Sequence, residues 1–248
     1  MHHDHERPTC GLHSAGVVKP RGPGVDRAVI QRFLALEDLS GTISDVLDKL
    51  GMRGVVGASI LIPTIATGRI VGPAVTVRNL PQELDPLQSV STNENRMTEV
   101  EGIQAADPGD VLVIQGLRDI SNMGGIMATL CQRQELAGAV VDGGVRDVGQ
   151  SRRIGFPIWS RDVSPITGKW RCVTAEVNGT VSVAGLAVRP GDLVVADETG
   201  TCFVPHHLIA KVLTMAEEIT HKERKILQDI ADGITTPALA KALFGRGG

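Results

Sequence analysis

The 248-residue sequence contains no tyrosine and only two tryptophans and four phenylalanines. Surfaces on which bases could stack are therefore scarce, and a formal charge of −3 leaves no basic excess to neutralise a phosphate backbone. Nucleic acid is not an expected partner. The absence of tyrosine also removes one common general acid. Cysteine is sparse: Cys10, Cys131, Cys172 and Cys202 stand far apart and form no CxxC or CxxH pair, which indicates neither a zinc site nor a disulfide framework and fits a reducing compartment. No apolar run is long enough to span a bilayer, and the first 26 residues lack the apolar stretch of a signal peptide, so a cytoplasmic protein with no membrane partner is expected. Neither a Walker sequence nor GxGxxG occurs, which argues against a bound nucleotide phosphate.

What is present suits one main α/β domain. Hydrophobic residues make up 42% of the chain, enough for a sizeable core. Residues 1–25, with His2, His3 and His5, read as a flexible tail without a metal-binding role. Residues 25–39 have helical spacing, and Thr42-Ile-Ser-Asp45 resembles a capping box that opens a second helix ending near Gly51. Stretches 60–65 and 69–77 are β-branched and read as strands; residues 95–106 read as a helix.

Two similar stretches follow, Asp107-Pro-Gly-Asp-Val-Leu-Val-Ile114 and Arg189-Pro-Gly-Asp-Leu-Val-Val-Ala196. In each, Pro-Gly predicts a type II turn and a strand comes next; their flanks do not match, so they read as similar turns rather than as a duplicated unit. Between them strands and helices alternate: a strand at 111–115, a glycine-bearing loop, a helix at 126–135 and a strand at 139–142. This spacing predicts a βαβ core with parallel strands and ligands at their carboxyl ends. A strand at 156–160, an all-β stretch at 171–204 and a long amphipathic helix at 208–231 complete the pattern, with a short helix restarting at Pro237.

Two segments could carry chemistry. Val140-Val-Asp-Gly-Gly-Val-Arg-Asp147 reads as an apolar strand emptying into a glycine-rich turn that would let main-chain amides approach a ligand. Arg146 there offers a carboxylate fork and Asp147 a hard oxygen ligand; the same pair would equally serve to cap the next helix, and spacing alone does not choose. Asn122-Met-Gly-Gly-Ile-Met-Ala128 precedes a helix, so its amides could hold a small anion, although close helix packing explains the glycines as well. Asp119, Asp142, Asp197 and Glu198 are further carboxylates whose ordinary reading is turn or cap, and His206 and His207 lack a third ligand that would suggest a metal.

Taken together, Gly72-Pro-Ala-Val-Thr76, Pro108-Gly-Asp-Val-Leu-Val113, Asp142-Gly-Gly-Val-Arg-Asp147, Gly155-Phe-Pro157 and Pro190-Gly-Asp-Leu-Val-Val195 resemble the RraA-like superfamily. It contains the class II 4-hydroxy-4-methyl-2-oxoglutarate and 4-carboxy-4-hydroxy-2-oxoadipate aldolases and the regulator of ribonuclease E activity. The resemblance implies a swivelling β/β/α fold with N- and C-terminal helices, usually trimeric or a dimer of trimers with sites between subunits. It implies a catalytic domain over 26–213 and a helical extension over 214–248. It further implies a Mg²⁺- or Mn²⁺-dependent lyase that releases pyruvate from a 4-hydroxy-2-oxo acid or decarboxylates an oxaloacetate-type acid, or else a non-catalytic regulatory module. By that resemblance Arg146 clamps the substrate carboxylate, Asp147 holds the metal, and Gly124, Gly125, Ile126 and Met127 complete the substrate cradle. The family's aldolases carry an acid where this chain has Gly125.

Overall fold

The computed structural model describes residues 18–93 and 95–244. The expectations for His2, His3, His5 and Cys10 fall outside them. Around one extended sheet the described chain forms three apolar layers.

The sheet follows from strands whose alternate residues face different helices. β3 (Ile70–Pro81), β4 (Val111–Gln115), β5 (Gly138–Val145) and β6 (Ile158–Val163) run parallel in that order, as the βαβ spacing predicts. Leu112, Ile114, Ala139 and Val141 face one side, whereas Val111, Val113 and Val140 face the other, the period of two that strands impose. β10 (Leu193–Ala196), β11 (Gly200–Val204) and β1 (Val55–Gly57) continue the sheet antiparallel beyond β3. β2 (Ile62–Pro63) closes the far edge on β6, and β7 (Cys172–Val177) also pairs with β3. The strand expected at 60–65 shrinks to β2, because turns occupy the residues before it.

Three sets of elements cover the sheet. Helices α4 (Glu99–Ala105), α5 (Gly125–Arg133) and α6 (Val148–Ile154) lie by the first face, with Ile103, Ala128, Cys131 and Phe156 in the shared core. The hairpin of β8 (Val181–Val183) and β9 (Leu186–Val188) covers the second face. At the antiparallel end, α1 (Arg27–Leu34), α2 (Leu39–Lys49) and α7 (Ile209–Ala231) bury Phe33, Ile43, Leu47, Val212 and Leu213 against β10 and β11. A short α3 (Pro86–Ser91), which the sequence pattern did not suggest, starts on an Asp85 cap, and α8 (Thr236–Phe244) ends the described chain. No helix among the described residues is long and apolar enough to cross a membrane.

The expected capping box at Thr42 is corrected: α2 begins earlier, at Leu39, and Thr42 is a buried residue in its interior. Asp197 instead fixes that helix, accepting from the Ser40 amide at 2.8 Å and the Ser40 hydroxyl at 2.6 Å. It accepts also from the amides of Thr199 (2.8 Å) and Gly200 (3.3 Å). Burial by itself would raise this carboxyl's pKa, but the Ser40, Thr199 and Gly200 hydrogen bonds outweigh it and hold the group below its ordinary value. Asp197 is thus a structural clasp, and Glu198 beside it is exposed.

Both Pro-Gly turns are built alike. Gly109 (φ +88°) and Gly191 (φ +85°) take the positive φ that a type II turn demands, and the following aspartate closes each turn, Asp110 on the Asp107 amide and Asp192 on the Arg189 amide, both at 2.8 Å. Gly72 is needed beside the first: a Cβ there would lie 2.1 Å from the Gly109 carbonyl oxygen.

The segment 18–25, expected as part of a loose tail, is docked from Val18 onward. Val18 bridges to Val177, and Arg21 grips the buried Asp110 through Nε (2.9 Å) and Nη2 (2.6 Å).

Candidate active site

The site forms where β4 and β5 end side by side, the place at which parallel sheets gather ligands. After β4 the chain loops through 116–124 before α5; after β5 it turns through Arg146 and Asp147 into α6. Backbone hydrogen bonds sew the two together, Asn122 to the Gly144 carbonyl (2.8 Å) and Arg146 to the Met123 carbonyl (3.1 Å). Asn122, fully buried, shapes the loop: its amide oxygen accepts from the Leu117 amide at 2.9 Å and its Nδ2 donates to the Leu117 carbonyl at 2.8 Å.

The glycines of the Asp142–Asp147 segment do something other than expected. Gly143 and Gly144 belong to β5, at an irregularity in its pairing with β6, and do not form a ligand-facing turn. A Cβ on Gly143 would meet the Leu117 carbonyl oxygen at 2.6 Å, and one on Gly144 the Ile120 carbonyl oxygen at 2.4 Å. They admit the site loop, not a ligand.

Asp147 has a left-handed backbone (φ 56°) and occupies the N-cap position of α6, yet its side chain does not cap that helix. It turns to the other helix, where Oδ2 accepts from the Gly125 amide at 2.9 Å. Arg146 Nε lies 3.6 Å from the same oxygen, and the two side chains remain 41% and 50% exposed. Helix capping and ligand display, which spacing left open, are thereby separated: the Asp147 carbonyl starts α6 by accepting from Gln150 and Ser151, while its carboxylate faces the α5 terminus. Gly124 permits this approach, since a Cβ there would sit 3.0 Å from Asp147 Oδ2 and 3.1 Å from Arg146 Nε.

Gly125, Ile126, Asp147, Gln150 and Arg153 line a cavity of about 510 Å³ between α5 and α6. The amides of Ile126 and Met127 lie in the first turn of α5, which has no intrahelical acceptors, and the Ile126 side chain is 78% exposed. Arg146 stands at the Gly124 side rather than in the cavity lining. The structure thus brings Gly124, Gly125, Arg146 and Asp147 together, with Ile126 at the rim. Of the other carboxylates, Asp142 is engaged elsewhere, accepting from Arg161 and from the Ala184 amide (2.6 Å), and Asp119 is an exposed turn residue with φ 62°.

The sequence reading gave no role to Glu99, which opens α4 and is 5% exposed. Burial first, opposed by its own backbone amide and then by the positive charge of Arg146, leaves its carboxyl at about 7. Only its place on a helix was legible, because the fold and not the local pattern brings it near Arg146.

A family model described as RraA-like, Aldolase/RraA, matches residues 40–203. The chain belongs to the RraA-like family. Among relatives, Protein DlpA of Legionella pneumophila is 29% identical over 198 residues, which are 79% of this chain and 31% of DlpA; the chain thus spans less than a third of that protein. A Halalkalibacterium halodurans protein with the provisional name 4-hydroxy-4-methyl-2-oxoglutarate aldolase is 29% identical over 194 residues, 77% of this chain and 84% of its own. Among solved structures, an uncharacterized protein from Pseudomonas syringae pv. tomato superposes with a TM-score of 0.74 at 26% identity, covering 90% of this chain and 100% of that one. RraAS2 of Streptomyces coelicolor, described as an unusual member of the RNase ES inhibitor RraA protein family, gives 0.67 at 25% identity, covering 82% and 97%. The fold is accordingly that of the RraA-like proteins, a mixed curled sheet with helices at both ends.

Proposed function

We propose that this RraA-like chain is a divalent-metal-dependent carbon–carbon lyase acting on a 2-oxo acid. The reaction is retro-aldol cleavage of a 4-hydroxy-2-oxo acid with release of pyruvate, or decarboxylation of an oxaloacetate-type acid. The observation that carries this reading is the convergence of Arg146 and Asp147, 3.6 Å apart and both accessible, on the first turn of α5.

Arg146 would pair with the carboxylate of the oxo acid, for which a guanidinium fork is suited. The amides of Ile126 and Met127 present partial positive charge to the same region and would favour anionic groups there. Among the described residues no three His, Cys, Asp or Glu side chains form a metal cluster. A single half-exposed carboxylate still fits Mg²⁺ or Mn²⁺, since Mg²⁺ commonly takes one or two protein carboxylates and completes its shell with water and substrate oxygens. A cation held by Asp147 would supply Lewis-acid stabilisation of the charge that develops on the keto oxygen.

Gly125 bears on which reaction is run. The acid carried by the family's aldolases is replaced here, and a Cβ at this position would crowd Gln150 Cγ at 3.0 Å and Asp147 Cβ at 3.2 Å, so a longer side chain needs these neighbours to shift by a few tenths of an ångström. Decarboxylation needs no general base, since CO₂ leaves unaided, so it is the reaction less affected by this departure. The same departure supports the second reading, a non-catalytic RraA-like binding module. On the enzymatic reading the catalytic domain is 26–213, the extension 214–248, and the protein works in the cytoplasm as a homotrimer or homohexamer.

The test is a screen of 4-hydroxy-2-oxo acids and oxaloacetate with a pyruvate-coupled readout, with and without Mg²⁺ or Mn²⁺. Metal-dependent pyruvate release is expected; turnover unaffected by chelation overturns the metal-dependent reading, and no turnover on any acid favours the binding module.

A further inference from the structure

The cavity between α5 and α6 holds a cation beyond Arg146. Arg153, an exposed residue of α6, lines it and makes no ion pair among the described residues. Its place in the last turn of α6 would suit it to the carbonyl end of that helix, yet its head group leans the other way. Nη2 donates to Gln150 Oε1 at 2.6 Å, and Nη1 lies 3.5 Å from where a Cβ on Gly149 would stand. The guanidinium therefore lies over the first turn of α6, the turn that Asp147 begins.

The two walls of the cavity differ in what they offer. From α5, Ile126 is apolar, and Thr129 commits its hydroxyl to the Gly125 carbonyl at 2.8 Å. From α6, Gln150 accepts from Arg153 through Oε1, while its Nε2 has no acceptor among the described residues. Arg153 Nε and Nη1 have none either. The wall of α6 thus presents donors in want of an acceptor, and a carboxylate matches them in charge and in shape. Gln150 is also close to the start of α5, its Cγ 3.0 Å from where a Cβ on Gly125 would stand, so these donors are set at a short remove from the Asp147 carboxylate. Counting Arg146 at the Gly124 side, two guanidinium groups face the one carboxylate of Asp147. A ligand with a single acid group on Arg146 leaves Arg153 unmatched.

We infer that Arg153, braced by Gln150, is a specificity-determining residue that holds a carboxylate at the far end of the ligand, the end opposite the 2-oxo acid group. The inference rests on the reading of Arg146 and Asp147 as the place of that 2-oxo acid group. Six residues of helical rise separate Asp147 from Arg153, about 9 Å, and the folded-back side chain shortens the gap to the scale of a short diacid. The carbon chain between the two acid groups would then pass Gly125 and rest on Ile126, whose exposed side chain gains an apolar contact.

Calorimetry at fixed Mg²⁺ with three ligands tests this. 2-Oxoglutarate and 2-oxopentanoate share the 2-oxo acid end and the carbon chain, and differ in ending on a carboxylate or a methyl group; oxalate reports the clamp alone. The wild-type protein is expected to bind 2-oxoglutarate at least about tenfold more tightly than 2-oxopentanoate, the scale of one hydrogen-bonded charge pair. Arg153→Met should bring that ratio to about one, and Arg153→Lys, which keeps the charge and loses the fork, to a value between. Equal affinity of the wild-type protein for the two oxo acids, a result that needs no variant, overturns the role of Arg153, and so does a ratio that Arg153→Met leaves unchanged. In either case oxalate binding leaves the Arg146 clamp standing. Failure of oxalate to bind at all overturns both.

Discussion

The carboxylate of Asp147 accepts a hydrogen bond from the Gly125 amide at 2.9 Å, joining the residue that starts α6 to the residue that starts α5. The contact holds the Asp147 side chain against the first turn of α5, apart from the backbone carbonyl with which the same residue starts α6.

Substitution should therefore divide along the same line. Asp147→Ala is expected to lower metal-dependent pyruvate release by 100-fold or more, in keeping with the order of magnitude for loss of a directly acting group. It should lower stability by only about 1 kcal/mol, the scale of one cap-like hydrogen bond. Arg146→Lys keeps the charge and loses the planar fork, so KM should rise more than kcat falls. Steady-state kinetics beside urea unfolding checks both.

Chelation gives a second prediction. EDTA should abolish turnover, and added Mg²⁺ or Mn²⁺ should restore it with no change in the far-ultraviolet dichroism, because the covered core clusters hold the fold without a metal.

Glu99 should leave a mark on stability. Its carboxyl stands at about 7 in the folded chain against an ordinary 4.5. Between those values the unfolded chain loses the proton that the folded chain keeps. Stability from this group is therefore full below about pH 4.5, falls as pH rises, and levels off above about 7, a loss on the order of 3 kcal/mol. Glu99→Gln should match the wild-type protein at pH 4.5 and exceed it at pH 8 in thermal melting.

Asp197 should behave oppositely. It satisfies two donors of Ser40 and the amides of Thr199 and Gly200, so Asp197→Asn should cost about 2–3 kcal/mol at pH 7. Its pKa is held below the ordinary value, so its contribution is present above about pH 4 and is lost as pH falls through the folded value. The variant's disadvantage should shrink in acid; an unchanged difference down to pH 3 would count against the clasp.

Gly72→Ala tests packing alone. With a carbonyl oxygen 2.1 Å from the added carbon, β3 and the Gly109 turn must separate, and a loss of at least about 2 kcal/mol is expected in urea unfolding.

Much of this architecture was legible in the sequence. Apolar runs separated by a helix's length gave the parallel core of β4 and β5, and Pro-Gly gave two type II turns, because these patterns depend on neighbours in the chain. Of the candidate site, the two segments were legible, and the structure sets Arg146 and Asp147 beside Gly124 and Gly125. What escaped was set by distant contacts. Gly143 and Gly144 look like a ligand loop until residues 117–122 are seen against them, Thr42 looks like a cap until Asp197 is found holding Ser40, and Glu99 is an unremarkable helical acid until the fold buries it.

The grip of Arg21 on Asp110 bears on where this protein can be cut. The aspartate closes the turn that feeds β4, and burial raises its pKa against the pull of the guanidinium. A shortened chain starting at residue 26, or at the family-matched residue 40, would strand that anion in the interior at the foot of a central strand. Eight residues that lie outside the family-matched stretch are thus part of the keystone, and trimmed versions should express poorly unless Asp110 is neutralised along with the cut.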